Sequence, residues 1–505
     1  MWLPNNPLMK RDGAGDSREE ALAYLEATIG DVGTASSRER KEAFVDSIDE
    51  CVTMLEKLGM EFARAADYPD YYPELPGGKI GRAIEVKLFD AKDLPEEWWE
   101  TSRGKSDGVA FPMMTDDMWL IARAWSTPSG FMRGAKFVFR GVGGAVRGRR
   151  DIGMGAGLTA SFMTVAQRQG TQVWLNSPLE HLVVEDGRVV GAVVTKDGTQ
   201  VRVRATRGVM LGAGGFAHNA EWREKYHGVP VGWSSANKGN IGTTIEIGQR
   251  HGAAVALMDD AWWGASIPAP TPEMNPSFLV NERSMPFSII VDAQGNRFAN
   301  ESESYADLGH IMLEHSKSVP GPYWMISQAR HTHRYLRTFA IMPGLMKGLR
   351  EKGLMHSAKT LPELATAIGM DPAALVATVE RFNGFARSGV DGDFGRGNSA
   401  YDRYYGDPLV RPNPNLGPLE KGAFVAIRLV PGDLGTKGGL LTGADAQVLR
   451  EDGSVIEGLF LYCAGNNSAS VMGRTYPGPG STIGPALVFG FRAGKHMARV
   501  PATIG

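Results

Sequence analysis

The chain has 505 residues, of which 43% are hydrophobic and 22% charged, so it is globular and long enough to need two or three domains. Its net charge of −2 gives no indication of nucleic acid or an anionic membrane as a partner, and no apolar run reaches the length of a membrane span. The two cysteines, Cys51 and Cys463, provide neither a disulfide framework nor metal-ligand spacing.

The first predicted elements are two helices, each preceded by a capping box. Ser17-Arg18-Glu19-Glu20 and Ser36-Ser37-Arg38-Glu39 both place a glutamate three residues after a serine. After the second box, apolar residues recur at helical spacing until Gly59, and the following residues 60–150 are irregular, with prolines, aromatics and basic side chains. The predicted helical face carries Phe44, Ile48, Cys51, Leu55 and Leu58.

Residues 173–212 carry short β-branched runs, which predict a small antiparallel meander. Asp186-Gly187 and Asp197-Gly198 fit the turns between its strands. A last buried strand, Val209 to Leu211, ends at Gly212-Ala213-Gly214-Gly215. This turn matches the loose form of the dinucleotide fingerprint, G-x-G-x-x-A, but no second buried strand follows the next helix. Two interpretations of this segment stay open: a plain tight turn that ends the strand, and a turn that contacts a cofactor.

Farther along, the sequence predicts a strand at Ser288–Asp292, helices near residues 361–386 and a buried strand before Gly465-Asn466. Two irregular segments are rich in tyrosine, Tyr68 to Pro73 and Asn300 to Tyr305. Tyrosines in loops are mostly surface or interface residues, so neither segment by itself indicates catalysis. The sequence has no nucleophile elbow, Walker loop, zinc-protease or kinase signature, and its ten histidines show no ligand spacing, so we expect no metal.

The stretch TYPGPGSTIGPALVFGFRAG occupies residues 475–494. Alternating prolines and glycines fix the backbone behind Tyr476 and leave the N–H of Gly480 free, and a helix begins with Ser481 or Thr482 as its cap. A buried phenol beside an oriented N–H is a pair of hydrogen-bond donors suited to a carbonyl oxygen. The alternative is a Pro/Gly loop that only precedes a tightly packed helix.

Taken together, several segments resemble the 3-ketosteroid Δ1-dehydrogenases, flavoproteins of the fumarate-reductase-like, FAD-binding group. The resemblance spans nearly the whole chain, and the Tyr-Pro-Gly-Pro-Gly element is among its more specific parts. The other segments that carry it are GDLGTKGGLLT (432–442), LMDDAWWG (257–264), GVMLGAGGFAHN (208–219), PDYYPELPGG (69–78), FNGFARSGVDGDFGRG (382–397) and AYDRYYGDP (400–408).

The resemblance implies an FAD-dependent 1,2-dehydrogenation of a 3-oxosteroid. A base removes the proton from C2, and hydride passes from C1 to flavin N5. In the family the base is the tyrosine of the Asn-Glu-Ser-x-x-Tyr segment, here Tyr305, and a second tyrosine, here Tyr71, supports it. Tyr476 and the N–H of Gly480 are implied to hold the 3-keto oxygen, where donors stabilise the growing negative charge.

The resemblance also implies where FAD is contacted: at the glycine turn, after the buried strand near residue 463, and at the start of the last helix. Tyr68, Trp262 and Trp263 are candidate walls of an apolar substrate site, and core packing is an equal alternative for them. The expected cofactor residues are Gly212, Ala213, Gly214, Gly215, Gly465, Asn466, Ser481, Thr482 and Ile483.

The implied fold is α/β, with a discontinuous Rossmann-like FAD-binding domain at residues 1–267 and 436–505 and an inserted α+β substrate domain at 268–435. Family members open with a βαβ unit that carries the pyrophosphate-binding turn, whereas this sequence opens at Trp2-Leu3-Pro4, which follows that unit in the family. We therefore expect the first βαβ unit to be missing and FAD affinity to be reduced. Flavin absorbance of the chain, with and without an upstream extension, tests this expectation.

Two other interpretations stay open. One is a sister flavoenzyme, either a 3-ketosteroid Δ4-(5α)-dehydrogenase or a fumarate-reductase-like ene-reductase. The other is a truncated, catalytically inactive relative. The expected partners are a 3-oxosteroid or similar hydrophobic small molecule and an unidentified electron acceptor, without nucleic acid or a transmembrane segment. The expected location is the cytoplasm, with peripheral contact to a membrane left open.

Overall fold

The structure is a computed structural model that describes residues 1–98, 112–337, 342 and 344–502. Within these residues, no helix combines the length and the apolar character needed to cross a bilayer. The α-helices are α1 (Pro7–Arg11), α2 (Arg18–Ile29), α3 (Arg38–Lys57), α4 (Thr115–Ile121), α5 (Pro128–Val146), α6 (Met154–Arg168), α7 (Ala220–His227), α8 (Thr243–Arg250), α9 (Tyr305–His315), α10 (Ala329–Arg334), α11 (Leu345–Glu351), α12 (Leu361–Ala367), α13 (Pro372–Ser388), α14 (Ala400–Tyr405) and α15 (Ile483–Arg499).

The strands belong to several small sheets and one larger antiparallel sheet. They are β1 (Phe62–Arg64), β2 (Ile84–Val86), β3 (Phe89–Asp90), β4 (Asp151–Ile152), β5 (Leu179–Glu185), β6 (Arg188–Lys196), β7 (Thr199–Arg204), β8 (Val209–Leu211), β9 (Val255–Ala256), β10 (Ala261–Ile267), β11 (Ser277–Phe278), β12 (Ser288–Val291), β13 (Tyr323–Gln328), β14 (Met355–Ala358), β15 (Phe424–Thr436), β16 (Gly439–Leu440) and β17 (Leu461–Cys463).

The N-terminal helices form as predicted, and their caps explain where they begin. Ser17 accepts a hydrogen bond from the N–H of Glu20 at the start of α2. The N-cap of α3 is Ser37 rather than the predicted Ser36, because it is the Ser37 hydroxyl that accepts from the N–H of Arg40. The predicted apolar residues of α3 that are buried are Phe44, Ile48, Cys51 and Leu55.

The tract at residues 60–150, which the sequence shows as irregular, contains helices α4 and α5. Five glycines lie inside the 19 residues of α5, and glycine lowers the helix propensity of a sequence. Thr127 nevertheless caps this helix by accepting from the N–H of Gly130, and Pro128 occupies its first turn. Local capping therefore defines a helix that sequence periodicity did not reveal.

The predicted meander forms β5, β6 and β7, and both predicted turns are confirmed. The central residues of the turns have positive φ, with 48° and 75° at Asp186 and Gly187 and 51° and 77° at Asp197 and Gly198. This backbone conformation matches the twist of a tight antiparallel hairpin.

Strand β8 pairs in parallel with β17, so the predicted buried strands at these two positions are neighbours. The carboxyl ends of parallel strands lie at the same edge of a sheet, which is where ligands bind in open α/β folds. The turn Gly212–Gly215 therefore lies beside the segment after β17. A Cβ on Gly215 would overlap the hydroxyl of Thr436 and would lie 3.3 Å from the carbonyl oxygen of Asn466, so this approach requires glycine.

The larger sheet has the order β11-β10-β15-β13-β12, and β14 also pairs with β15. Its strand β12 and the flanking helices α12 and α13 are the predicted strand and helices of this region. Strand β10 starts at Ala261, and β15 ends at Thr436, so the sheet reaches slightly beyond the predicted boundaries at 268 and 435. Helix α9 packs on β10 and β15, which brings its first residue, Tyr305, towards the N-terminal part of the chain.

Candidate active site

The segment Tyr476–Gly480 is anchored through a single buried carbonyl group. The oxygen of Pro477 accepts hydrogen bonds from the hydroxyl of Tyr24 at 2.6 Å and from the N–H of Tyr71 at 2.9 Å. The proline rings on either side of Gly478 restrict the backbone further. These restraints fix the directions in which the Tyr476 side chain and the Gly480 N–H project.

The other side of the same loop rests on Trp2. A Cβ on Gly478 would overlap the indole ring, so the close approach depends on glycine. The indole Nε1 donates to Oδ1 of Asp70 at 2.7 Å, and Arg82 bridges Asp70 and Asp16 at 2.8 Å each. Because this ion triad is buried and fully paired, it holds Trp2 in a defined position against the loop.

Ser481 does not cap helix α15, which corrects one of the two predicted caps. Its Oγ donates to the carbonyl of Gly478 at 2.7 Å and accepts from the Gly478 N–H at 3.0 Å, which pairs backbone groups that would otherwise be buried unsatisfied. Thr482 is the N-cap residue by position but makes no side-chain bond to the helix. Its side chain instead hydrogen-bonds with Tyr476.

Tyr71, Tyr305 and Tyr476 form one buried cluster, as the sequence-based assignment requires. The Tyr71 and Tyr476 rings are stacked with centroids 5.1 Å apart. Tyr305 meets Tyr71 at 5.3 Å and Tyr476 at 4.9 Å, edge to face in both cases. Each of the three residues is only 4% exposed. Segments separated by more than 150 residues therefore bring three phenols together.

The hydroxyl of Tyr305 hydrogen-bonds with those of Tyr71 and Tyr476. Burial raises the pKa of Tyr305 well above its ordinary value, the neighbouring Tyr476 raises it further, and the hydrogen bond with Tyr71 lowers it. Tyr305 is also the first residue of α9, whose N-terminal end carries the positive pole of the helix dipole. The hydrogen bond with Tyr71 and the dipole of α9 therefore both stabilise the phenolate of Tyr305, and both oppose the rise in its pKa that burial causes.

The hydroxyl of Tyr476 lies within hydrogen-bonding reach of the Gly480 N–H, so the two predicted donors converge. Burial raises the pKa of Tyr476, and hydrogen bonds with Tyr305, Thr482 and the Gly480 backbone lower it. Gly480 has φ of +93°, a conformation that favours glycine. A carbonyl oxygen at this point could accept from both groups.

Tyr68 extends the hydroxyl cluster on the side away from Tyr476. Its hydroxyl hydrogen-bonds with those of Tyr405 and Tyr71, and its ring stacks on Tyr404 with centroids 4.7 Å apart. Burial raises the pKa of Tyr68 to about 12. The hydroxyls of Tyr68 and Tyr405 are therefore hydrogen-bonded to each other, and those of Tyr71 and Tyr305 lie close by in the same buried cluster.

An apolar cleft of about 260 Å³ opens over this cluster. Its surface is formed mainly by carbon atoms. Its lining includes Tyr68, Tyr71, Trp119, Val280, Tyr305 and Gly480. An apolar cavity with a small set of convergent polar groups is the usual form of a small-molecule site.

The two adjacent tryptophans point to opposite faces of β10, as successive residues of a strand do. Trp262 lies at the cluster, with its ring 5.1 Å from that of Tyr476 and its Nε1 donating to Asn466 Oδ1 at 3.1 Å. Trp263 lies on the other face, where its Nε1 donates to Asp260 at 3.0 Å. The structure thus does not bring Trp263 to the predicted wall, and Trp262 lies outside the lining of the apolar cleft.

A second, much narrower cleft, of about 20 Å³, is lined by most of the predicted cofactor residues after Gly215. Ile483 lines the apolar cleft instead, and the turn Gly212–Gly215 lies at the neighbouring sheet edge without lining either cleft. The predicted residues in the narrow cleft are Gly465, Asn466, Ser481 and Thr482, beside Trp262.

The donors of the narrow cleft fit the carbonyl- and nitrogen-rich edge of a flavin. Arg40, which lines the cleft, donates Nη1 to the carbonyls of Ala35 and Ala469, but its buried Nε has no hydrogen-bond partner. A buried cation with an unused donor suits an anionic or carbonyl group. Gly465 at φ +70° and Ala486 keep the opposite wall free of bulky side chains.

Several residues that shape the site were not predicted from the sequence. Tyr24 and Arg40 belong to helices whose sequences indicate only caps and amphipathic spacing. Trp119 falls in the tract that looked irregular, and Tyr405 belongs to the AYDRYYGDP segment, whose tyrosines received no role. A run of three tyrosines within five residues of one short helix was the available signal for Tyr405.

Comparison with known proteins identifies the family of this chain. A family model described as "FAD binding domain" matches residues 1–483. The chain is 43% identical to the 3-oxosteroid 1-dehydrogenase of Mycolicibacterium smegmatis and 41% identical to that of Mycobacterium tuberculosis, in each case over 99% of this chain and 90% of the relative. The solved structure of 3-ketosteroid Δ1-dehydrogenase from Sterolibacterium denitrificans, in complex with 1,4-androstadiene-3,17-dione, is 36% identical, with a TM-score of 0.86 over 99% of this chain and 91% of that chain.

These comparisons confirm the resemblance seen in the sequence, the FAD-binding fold of mixed helices and sheets, and FAD as the cofactor. The alignments span almost the whole chain. The chain therefore belongs to the 3-oxosteroid 1-dehydrogenases, a family of FAD-dependent oxidoreductases.

Proposed function

We propose that this protein catalyses the 1,2-dehydrogenation of a 3-oxosteroid or a similar hydrophobic ketone. The observation that carries the proposal is the convergence of the Tyr476 hydroxyl, the Gly480 N–H and the Tyr305 hydroxyl under one apolar cleft. Two donors for one carbonyl oxygen and a third group beside them match the needs of proton removal next to a ketone.

The ketone is activated by Tyr476 and Gly480. As the C2 proton leaves, negative charge grows on the 3-keto oxygen, and hydrogen bonds from these two donors stabilise it. Because the donors are buried and anchored through Pro477, they need little reorganisation when the charge develops. The apolar lining of the cleft strengthens these hydrogen bonds by excluding water.

Tyr305 acts as the base that takes the C2 proton, and Tyr71 supports it. A buried phenol is a weak base at neutral pH, so its phenolate needs a donor and a positive environment. Tyr71 supplies the donor, and the start of α9 supplies the helix dipole. Tyr68, a candidate wall residue, adds a further hydroxyl to this cluster through its contact with Tyr71.

FAD is held by the residues of the narrow cleft, Gly465, Asn466, Ser481 and Thr482, together with Ile483 and the turn Gly212–Gly215. FAD bound there would supply the acceptor for the hydride that leaves C1 of the substrate. Loss of the C2 proton to Tyr305 and of the C1 hydride leaves a C1–C2 double bond conjugated with the ketone. Arg40 keeps a positive charge beside this cleft, where it stabilises negative charge.

We also propose the domain division at residues 1–267 with 436–505 and at 268–435. The parallel pair of β8 and β17 joins the first and last of these segments and supports a Rossmann-like sheet in the FAD domain. Most of the antiparallel sheet belongs to the middle segment.

The protein is proposed to work in the cytoplasm, because Cys51 and Cys463 are buried and unbonded, as expected of a reducing compartment. Peripheral contact with a membrane is part of the same proposal. The electron acceptor that reoxidises the flavin is an unidentified small molecule or protein. A separate assay with candidate acceptors must identify it.

The test is a product assay of the FAD-loaded protein with an artificial electron acceptor. We expect androst-4-ene-3,17-dione to gain a C1–C2 double bond, identified by mass spectrometry and ultraviolet absorbance. Activity confined to 5α-androstane-3,17-dione, with a Δ4 product, would overturn the proposed regiochemistry. Flavin-loaded protein that converts neither substrate would favour the inactive relative.

A further inference from the structure

Helix α5 (Pro128–Val146) presents its apolar side chains to the outside instead of the protein interior. Phe139 is 77% exposed and Val146 82%, whereas surface helices normally bury their apolar stripe. Positions 131, 135, 138, 139, 142 and 146 share one face at helical spacing. The exposed apolar residues on or beside this stripe are Phe131, Met132, Val138, Phe139, Val142 and Val146.

The face of α5 that contacts the protein carries glycine instead. A Cβ on Gly130 would lie 2.6 Å from the carbonyl oxygen of Arg123 and 2.7 Å from that of Leu120, and one on Gly144 would lie 2.9 Å from the carboxylate of Asp151. These glycines allow α5 to approach its neighbours closely. Packing within the protein therefore does not explain the aromatic and branched side chains on the outer face.

The charged residues of α5 and of the segment directly after it are all positive. Residues 128–150 contain six lysines and arginines and no aspartate or glutamate. Arg133 and Arg140 pair with Asp117 at 2.5 Å, on the flank of the helix. Lys136 and Arg147 are exposed, and among the described residues neither has an ion-pair partner. The net charge of −2 for the chain conceals this local cationic segment.

We propose that α5 is a membrane-binding helix that lies in the interface of a bilayer containing anionic phospholipids. A helix with an aromatic and aliphatic face, cationic flanks and no anions has the composition of interfacial amphipathic helices. Trp125, which is 68% exposed and directly precedes the helix, is of the residue type that anchors at the headgroup level. The unpaired cations complement anionic headgroups, whereas they would repel a second copy of the same face.

The position of α5 also relates the membrane to the apolar cleft. Residues on both sides of α5 in the sequence line that cleft. They are Thr115 and Trp119 of α4, before the helix, and Met154 and Leu158 of α6, after it. A membrane surface at α5 therefore lies next to the walls of the site in sequence and structure. If the protein acts on a hydrophobic ketone, as proposed above, this arrangement lets the substrate pass from the bilayer to the site with little exposure to water.

Vesicle flotation of the full chain tests the proposal without any substrate. We expect binding to vesicles of phosphatidylcholine mixed with phosphatidylglycerol, and weaker binding to phosphatidylcholine alone. The double variant Phe131→Ser/Phe139→Ser should bind about ten-fold more weakly. The matched control is Val390→Ser/Leu409→Ser, which removes two exposed apolar side chains elsewhere and should bind like the unmodified chain.

A charge variant keeps the test valid if the apolar variant folds poorly. Lys136→Glu/Arg147→Glu should weaken binding to the anionic vesicles by about ten-fold and leave binding to phosphatidylcholine unchanged. The proposal is overturned if the unmodified chain does not float with anionic vesicles, or if the apolar and control variants bind equally. It is also overturned if Phe139→Ser only converts a dimer to a monomer in gel filtration. Because no turnover is measured, these outcomes are separate from those of the product assay.

Discussion

The ring of Tyr71 is stacked on that of Tyr476 at an interplanar angle of 16°, while its hydroxyl bonds to Tyr305. One side chain therefore orients the proposed ketone donor and supports the proposed base. Tyr71→Phe keeps the stacking and removes only the hydroxyl. We expect kcat to fall by about 10- to 150-fold, because a lost hydrogen bond to a charged group is worth roughly 1.5–3 kcal/mol.

The pH profile distinguishes this role from simple packing. The hydrogen bond from Tyr71 lowers the pKa of Tyr305, so its loss should move the rising limb of kcat against pH to higher pH. The control is Tyr72→Phe, whose hydroxyl donates to Asp307 at 3.0 Å outside the cleft. Its profile should keep the midpoint of the unmodified protein, and equal shifts in both variants would contradict the role of Tyr71.

Tyr305→Phe tests the base itself. General base catalysis typically contributes 10²–10⁴-fold, so we expect kcat to fall by about that range, with KM nearly unchanged. Flavin absorbance should stay the same, because Tyr305 lines the apolar cleft and not the narrow one. Exchange of the substrate's C2 hydrogen with solvent, followed by mass spectrometry, gives a second measurement. Persistent turnover or exchange would exclude Tyr305 as the base.

Gly480→Ala tests the backbone donor. A Cβ there would lie 2.7 Å from Cα of Met1 and would have to accept φ of +93°, so the loop must shift. We expect the free energy of unfolding to fall by about 1–3 kcal/mol. We also expect kcat to fall by a larger factor than the factor by which KM rises. The control Gly494→Ala meets no atom within 4 Å and lies in helix α15, so it should be neutral or stabilising.

The Pro/Gly loop shows how far sequence reasoning reached. Backbone chemistry alone indicated that Tyr476 and the Gly480 N–H project together, because prolines and glycines restrict a loop through strictly local effects. The grouping of Tyr305 and Tyr71 with them came only from the family resemblance. No local pattern reports a contact between residues more than 150 positions apart, since such contacts depend on how α9 packs on the sheet.

Two differences have definite physical causes. Trp262 and Trp263 were given the same role, although adjacent residues of a strand must face opposite sides, so one of them had to point away. Helix α5 was missed because its core-facing positions are glycines and its apolar positions face outward. Sequence analysis assumes that apolar residues mark the buried face, and here that assumption fails.

The buried phenols predict a loss of stability at alkaline pH. Burial raises the pKa of Tyr68 from 10 to about 12, so the folded state resists ionisation that the unfolded chain allows. Stability from this group is complete below pH 10 and declines as the pH rises toward 12. We expect Tm to fall steeply in this window, and Tyr68→Phe to flatten the decline by up to about 1.4 kcal/mol per pH unit. An unchanged slope in thermal melts of the variant would contradict this origin.

The two tryptophans of β10 allow a matched test of the narrow cleft. Trp262→Phe removes the Nε1 donor to Asn466 and a wall of that cleft, so we expect weaker FAD binding, about ten-fold in Kd, and a shifted flavin absorption maximum. Trp263→Phe removes the donor to Asp260 on the opposite face and should lower Tm without changing flavin affinity or spectrum. Flavin titration followed by fluorescence measures both. If Trp263→Phe alters the flavin as much as Trp262→Phe does, the narrow cleft is not the flavin site.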